Sequence, residues 1–299
     1  MTQAKTARVR AIRKTWRSTP TVEGAGVHLK RAFGFNEVPN LDPFLLLDAF
    51  HSENPEDYKA GFPWHPHRGM ETITYMLEGE VEHGDSMGNR GLIAAGDVQW
   101  MTAGSGIVHQ EMPKGDPRGE MWGFQLWSNL PARQKMMDPR YQEVKDAAIP
   151  RVKTADGATV RVIAGEVAGV RGPVTEIVTD PEYLDVSLPA GRSFSHPVKD
   201  EHTVFAYVVD GQGRFDGEGQ ETGARPPRQL EEGTLVLYER GDQVVVAAGE
   251  RSVRFLLVAG KPLGEPVAWY GPVVMNTQDE LRTAFREYQE GTFVKHPRG

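Results

Sequence analysis

The chain contains no cysteine, which excludes disulfides, thiolate nucleophiles, zinc–thiolate sites and iron–sulfur clusters. Any metal must therefore be held by histidine and carboxylate. Basic charge is also short: Lys and Arg number 34 against 41 Asp and Glu, a net charge of −7. Direct contact with nucleic acid or with an anionic membrane is not expected, because both select a net basic surface. No apolar run reaches the length needed to span a bilayer. The first seventeen residues carry Lys5, Arg8, Arg10, Arg13, Lys14 and Arg17 but no apolar h-region. They are not expected to be a secretory signal, and a cytoplasmic location is expected, with an organelle transit peptide as the lesser alternative. Two further signatures are missing. Gly211-Gln-Gly213 lacks the third glycine and following helix of a dinucleotide fingerprint and reads as a hairpin turn. Ser105, in Thr102-Ala-Gly-Ser-Gly-Ile107, is not on a nucleophile elbow, so a hydrolase triad of Ser105, His109 and Asp97 is set aside.

What the chain does have is length and punctuation. Its 299 residues suit two domains, and 39% hydrophobic residues can fill a sizeable core. Gly 33 and Pro 21 make about 18% of the chain against a usual background of about 12%, which favours short elements joined by turns. Alternating segments such as Thr72–Leu77, Val204–Val209, Thr234–Tyr238, Val244–Ala247 and Val253–Val258 read as strands of an antiparallel sandwich or barrel. Two segments read as helices. One runs from Pro131 to about Met137, stopped by Asp138-Pro139. The other opens on the capping box Thr277-Gln-Asp-Glu280, continues through Leu281, Ala284, Phe285 and Tyr288, and stops at Gly291.

A weak internal repeat organises these elements. Tyr75-Met-Leu-Glu-Gly79 matches Tyr207-Val-Val-Asp-Gly211 at an offset of 132, and the strand entries at Gly96 and Gly233 match at 137. The slippage fits a longer loop in the second copy, around Gly217 to Pro227. The chain thus reads as two copies of one β-domain, 1–138 and 139–299, the second ending in a helix at about 277–290.

Two motifs carry chemistry: His65-Pro-His67 and His109-Gln-Glu111. In a strand, residues i and i+2 share a face, so each motif can aim two ligands at one point. A lone His-x-His is commonplace, and Pro66 is ill suited to a central strand. Two such pairs in one domain of a chain with only 9 histidines are far less ordinary. Three imidazoles and a carboxylate suit one divalent first-row ion, Fe, Mn, Co, Ni, Cu or Zn. Around a six-coordinate ion they leave two positions for dioxygen, water or a chelating substrate. His28, His51 and His83, without an i+2 partner, read as structural or exposed.

The residues around these motifs, Gly61-Phe-Pro-Trp-His-Pro-His-Arg-Gly-Met-Glu-Thr-Ile-Thr-Tyr75 and Gly96-Asp-Val-Gln-Trp-Met-Thr-Ala-Gly-Ser-Gly-Ile-Val-His-Gln-Glu-Met-Pro113, resemble the pirin family, a two-barrel branch of the cupin superfamily. Tyr270-Gly-Pro-Val-Val-Met-Asn-Thr277 and the helix after it resemble the pirin C-terminal segment more weakly. The resemblance implies an all-β fold of two tandem cupin-type antiparallel barrels with a C-terminal helix. It also implies one metal, usually iron, in the first barrel, with His65, His67, His109 and Glu111 as ligands. The general cupin pattern would instead nominate Glu71, which is kept here as a residue supporting the ligands. The repeat offsets place Pro197, Lys199 and Thr203 opposite His65, His67 and Glu71, and Val246 and Ala248 opposite His109 and Glu111. The second barrel is therefore expected to be metal-free. Of Trp64, Trp100, Trp122, Phe124 and Trp127, most are expected in the core and one or two in a pocket.

Two functions follow from the resemblance. The favoured one is a metal-dependent dioxygenase acting on flavonols, of quercetin 2,3-dioxygenase type, with dioxygen as co-substrate and Glu111 as the base that takes the flavonol hydroxyl proton. The alternative is an iron-dependent redox-sensing regulator that binds a protein partner without catalysis, such as a transcription factor or metabolic enzyme. Access to the metal discriminates between them. A monomer is expected, since two barrels in one chain supply the pairing that single cupins obtain by dimerising.

Overall fold

The computed structural model describes residues 7–36, 41–216 and 229–296. The loop expected around Gly217 to Pro227 lies outside the described residues. Contacts gather the chain into two compact units: Thr19–Ala148 with Leu263–Gly299, and Met1–Ser18 with Ile149–Pro262. Compared with the division expected at 138, the two ends of the chain fall on opposite sides. The strand Ile12–Arg17 hydrogen-bonds to Thr234–Tyr238, which draws the start of the chain into the later unit. Two buried cations hold the end of the chain in the earlier one. Lys135 Nζ donates to Gly69 O (2.8 Å), Asn129 Oδ1 (2.6 Å) and Val274 O (3.0 Å). Arg68 donates to Phe293 O (2.8 Å), pairs with Glu287 (2.8 Å) and lies over the Phe293 ring.

The earlier unit is a barrel of two antiparallel sheets. The larger runs in the order Arg140–Val144, Val98–Thr102, Met70–Glu78, Met121–Asn129, Phe44–Ser52, Val27–Phe33, Thr19–Glu23. The smaller runs Phe62–His67, Ile107–Lys114, Glu80–Asp85, Arg90–Ile93. One core cluster joins both sheets through Val27, Leu29, Phe50 and Met76 on one side and Val81 and Ile93 on the other. Phe62–His67 is an edge strand of its sheet, which is why Pro66, lacking an N–H, is tolerated there.

The later unit repeats this topology around a nine-stranded sheet. Its core is built on an apolar cluster that includes Val162, Leu184, Ala206, Val236, Val246, Phe255 and Leu257, with buried His196 stacked on Phe194 beside it. No helix among the described residues is long and apolar enough to cross a membrane.

The expected helix over Pro131–Met137 is only a short 3-10 turn, Ala132–Gln134. Pro131 and Asp138-Pro139 bracket too few residues for a stable α-helix, and Lys135 is drawn inward to its three acceptors. The C-terminal helix forms over Gln278–Gln289 with both capping-box bonds present. It buries Leu281 and Ala284 against Ala268, Val273, Met275 and Phe293.

Candidate metal centre

The strand Ile107–Lys114 alternates buried and half-buried residues, so Ile107, His109, Glu111 and Pro113 share the inner face. Its neighbour aligns His65 opposite His109, and a bulge between His109 and Glu111 sets Phe62 opposite Glu111. The outcome is three converging imidazoles. His65 Nε2 lies 3.0 Å from both His67 Nε2 and His109 Nε2, and all three donor atoms lie within 4.8 Å of one another. His65 Nδ1 lies 2.9 Å from Pro63 O, and His67 Nδ1 lies 3.3 Å from Pro272 O. A carbonyl can only accept, so both Nδ1 atoms carry the proton and both Nε2 atoms present lone pairs. With both rings neutral, the 3.0 Å contact between His65 and His67 sets two lone pairs together, an arrangement that a bound metal ion would hold. Burial and the neighbouring imidazoles hold His67 and His109 well below the ordinary histidine range, which keeps them neutral and able to ligate.

The three imidazole nitrogens, all within 4.8 Å of one another, present one face to a divalent ion, and the chain has no thiolate to close a structural site around it.

Glu111 stands beside this face. Its Oε2 is 3.9 Å from His109 Nε2. Gln125 Nε2 donates to both carboxylate oxygens at 3.2 Å, and Thr74 Oγ1 donates to Oε1 at 3.2 Å. Trp127 Nε1 in turn donates to Gln125 Oε1 (2.9 Å), while its ring meets His67 edge-on at 5.2 Å between centroids.

Gln125 belongs to a polar row that sequence reasoning missed. Arg31 is paired with Asp48, Asp48 with Gln125, Gln125 with Thr74, and Thr74 with Gln99, each directly opposite across the large sheet. Arg31 grips Asp48 bidentately (2.8 and 2.7 Å) and reaches Glu23 at 2.9 Å. Burial pushes the Asp48 carboxyl up to about 6, against the pull of Arg31. In the later unit, the same register joins Val162, Leu184, Leu257, Ala206 and Val236, all in its core. The signal was available in the sequence, but reading it required the pairing of strands far apart in the chain.

A cavity of about 440 Å³ opens over the site, within the range of small-molecule pockets. His65, His67, Glu111 and Gln125 line it together with Glu23, Arg31 and Asp48 and the aromatic residues Phe35, Phe50, Phe62 and Trp127. Among the aromatic residues singled out above, Trp127 lines the cavity, Trp100 and Phe124 are core, Trp122 stacks on His51, and Trp64 is half exposed. Gly271 and Pro272 bring the C-terminal segment to the cavity wall.

Two expectations are corrected. Glu71 does not face the histidines, because Gly69, at φ +76°, resets the strand phase and an added Cβ there would meet Val274 O at 2.0 Å. Thr74 faces inward, so Glu71, three residues earlier in an unbroken strand, faces the opposite way and accepts a hydrogen bond from Thr102 Oγ1 (2.7 Å). Second, the equivalents of His65 and His67 are not Pro197 and Lys199. The register pairs Phe194 with Val246 and His196 with Val244, and His196 is bonded to Glu182 at 2.7 Å. The Asp97 carboxylate is taken by Lys145 and by the backbone of Ala94 and Asp146, in keeping with the triad set aside above.

Burial pushes the Glu71 carboxyl up from 4.5 to about 7. It keeps its proton in the fold at pH values where the unfolded chain has lost it, so its contribution to stability falls as pH rises from 4.5 to about 7 and is flat above. That interval corresponds to at most roughly 3 kcal/mol. Asp48 titrates in the same sense, so the comparison must be with a variant. In urea unfolding at pH 5 and pH 8, Glu71→Gln is expected to lose less stability across the interval than the wild type by about 1–3 kcal/mol. Equal losses would show that Glu71 is ionised in the fold at both pH values.

Comparison with known proteins agrees with this architecture. The family described as Pirin matches residues 26–128, and that described as Pirin C-terminal cupin domain matches residues 183–294. A pirin-like protein of Caulobacter vibrioides is 46% identical over 286 residues, covering 95% of this chain and 99% of the relative. A pirin-like protein of Solanum lycopersicum is 44% identical over 269 residues, covering 90% and 88%. The crystal structure of a quercetin 2,3-dioxygenase from Acinetobacter baumannii superposes with a TM-score of 0.85 at 32% identity, covering 96% of this chain and 99% of that one.

Proposed function

The chain belongs to the pirin family of two-barrel cupins, and from that premise we propose that it is a metal-dependent dioxygenase that opens the central ring of flavonols. His65, His67, His109 and Glu111 are the proposed ligands of one divalent ion, iron foremost, with Mn, Co, Ni, Cu and Zn the competing occupants. When bound, the ion supplies Lewis acidity and coordination positions for a chelating substrate and dioxygen.

The observation that carries this reading is access. The aromatic residues do not seal the histidines; a cavity of about 440 Å³ reaches His65, His67 and Glu111. A redox switch read by a protein partner needs no such chamber, whereas a flat polyphenol does. The chain's own residues then have assignable tasks. Trp127 and Phe62 give apolar walls for an aromatic substrate, and Glu111 receives the proton of the flavonol 3-hydroxyl. Gln125 and Thr74 hold that carboxylate in place by hydrogen bonds.

Protein purified without added metal, analysed for its metal content and then reconstituted anaerobically with Fe, Mn, Co, Ni or Cu, tests the proposal on exposure to a flavonol and dioxygen. One carbon monoxide released per flavonol consumed is expected with at least one ion. Intact flavonol with every ion overturns the assignment.

A further inference from the structure

We propose that Arg31, Asp48 and Glu23 read a pair of adjacent hydroxyls at the far end of the substrate, so that the site selects flavonols whose pendant phenyl ring is a catechol. The inference rests on the flavonol reading above and extends it from the reacting edge to the opposite end of the molecule.

The cluster is not required by the fold. In the later unit the same two paired positions hold Val162 and Leu184 within an apolar core. A guanidinium–carboxylate pair in a barrel interior is costly to desolvate, and the repeat demonstrates that hydrophobic residues serve in its place. Its presence in the barrel that has the open cavity therefore points to a ligand.

The hydrogen-bonding valence defines that ligand. Arg31 has five N–H donors. Nε and one Nη2 hydrogen go to Asp48, and one Nη1 hydrogen goes to Glu23 Oε1. Two N–H donors remain, beside a Glu23 carboxylate whose second oxygen takes no part in these bonds. A donor next to an acceptor complements vicinal hydroxyls, one accepting from Arg31 and the other donating to Glu23. The local charge agrees. Among the described lining residues, Glu23, Asp48 and Glu111 face Arg31 as the one Lys or Arg, which disfavours a carboxylate-bearing ligand and favours one that offers hydrogens.

The distance is suitable too. From Gln125, which touches Glu111, to Arg31 is two strand steps, about 10 Å at the usual spacing. A flavonol held by its 3-hydroxy-4-carbonyl edge spans a comparable length to the end of its pendant ring. Phe35 and Trp127 line the same cavity.

The test measures binding by quenching of tryptophan fluorescence under anaerobic conditions, with the metal-loaded protein. Two flavonol probes are used, one with a 3′,4′-dihydroxyphenyl ring and one with an unsubstituted phenyl ring. Wild type is expected to bind the dihydroxy probe at least about tenfold more tightly, the size of one hydrogen bond to a charged group. Glu23→Gln is expected to cut that preference to within about threefold. The double substitution Arg31→Val with Asp48→Leu, which copies these two positions of the later unit and leaves only the partly exposed Glu23 carboxylate without its partner, is expected to abolish it. No preference in wild type, or a preference that survives both variants, overturns the inference. Carbon monoxide release after dioxygen is admitted to the same samples separates this result from the parent reading. Turnover of both probes at equal affinity sinks only the catechol reader, whereas selective binding without turnover keeps the reader and sinks the oxygenase. If neither probe binds, both readings fall.

Discussion

Replacing His109 by valine is expected to eliminate stoichiometric metal binding while leaving the barrel folded. His109 contributes one of the three nitrogens of the proposed face, at 3.0 Å from His65 Nε2. Without it the site retains two imidazoles and a carboxylate already engaged by Gln125 and Thr74. Removing even an outer partner of a metal ligand typically weakens affinity 10–100-fold, so loss of a ligand is expected to exceed about 100-fold. Folding is not expected to fail, because Val246 occupies the matching position in the core of the later unit. The measurement is metal content after dialysis against a weak chelator, combined with thermal unfolding with and without added ion. Wild type is expected to retain one equivalent and to gain stability from the ion by mass action, about 2.7 kcal/mol at a hundredfold excess over Kd. The variant is expected to retain none and to unfold at one temperature in both conditions. A full equivalent in the variant would remove His109 from the ligand set.

The same valine illustrates which parts of the centre were legible from the chain. His65-Pro-His67 and His109-Gln-Glu111 are local, and the two-residue period of a strand converts each into a shared direction without knowledge of the partner strand. The direction failed where the backbone left that period. Gly69, with φ of +76°, lies between His67 and Glu71, so counting in twos across it assigns Glu71 to the wrong face. The repeat offset failed for a similar reason. It passed correctly from Thr74 to Ala206 and from His109 to Val246, but the strand Ser193–Pro197 has slipped, and His196 rather than Lys199 occupies the register of His67. The row from Arg31 to Gln99 was illegible for a different reason. Each residue is an unremarkable polar residue in its own strand, and only the pairing of five strands makes the row continuous. The C-terminal segment is the extreme case. Pro272 orients His67 from a separation of 205 residues, through a carbonyl that no side-chain pattern encodes. Buried Lys135 and Arg68 are the physical reason it can: Lys135 ties Gly69 O, in the turn that follows His67, to Val274 O, and Arg68, in the same turn, donates to Phe293 O and pairs with Glu287.

Glu111→Gln is expected to slow flavonol turnover by at least about 100-fold at neutral pH, the usual worth of a positioned general base. The amide has nearly the volume of the carboxylate, and its oxygen can still accept from Gln125 and Thr74, so its position is retained. What it cannot do is take a proton. If Glu111 is the base, a substrate that arrives already ionised no longer needs it. Turnover by the variant is therefore expected to climb as pH rises through the ionisation of the flavonol 3-hydroxyl, narrowing the gap to wild type. A variant impaired only in binding the metal gains nothing from ionised substrate, and its metal content, measured on the same sample, falls in parallel with its rate. Glu111→Asp provides the geometric control, since it keeps a base but withdraws it by one methylene from Gln125 and Thr74. Its rate is expected to lie between wild type and Glu111→Gln with a weaker dependence on pH. A glutamine variant within threefold of wild type at neutral pH, with its metal retained, would show that the proton leaves the flavonol by another route. The base would then have to be sought among groups that do not touch Gln125.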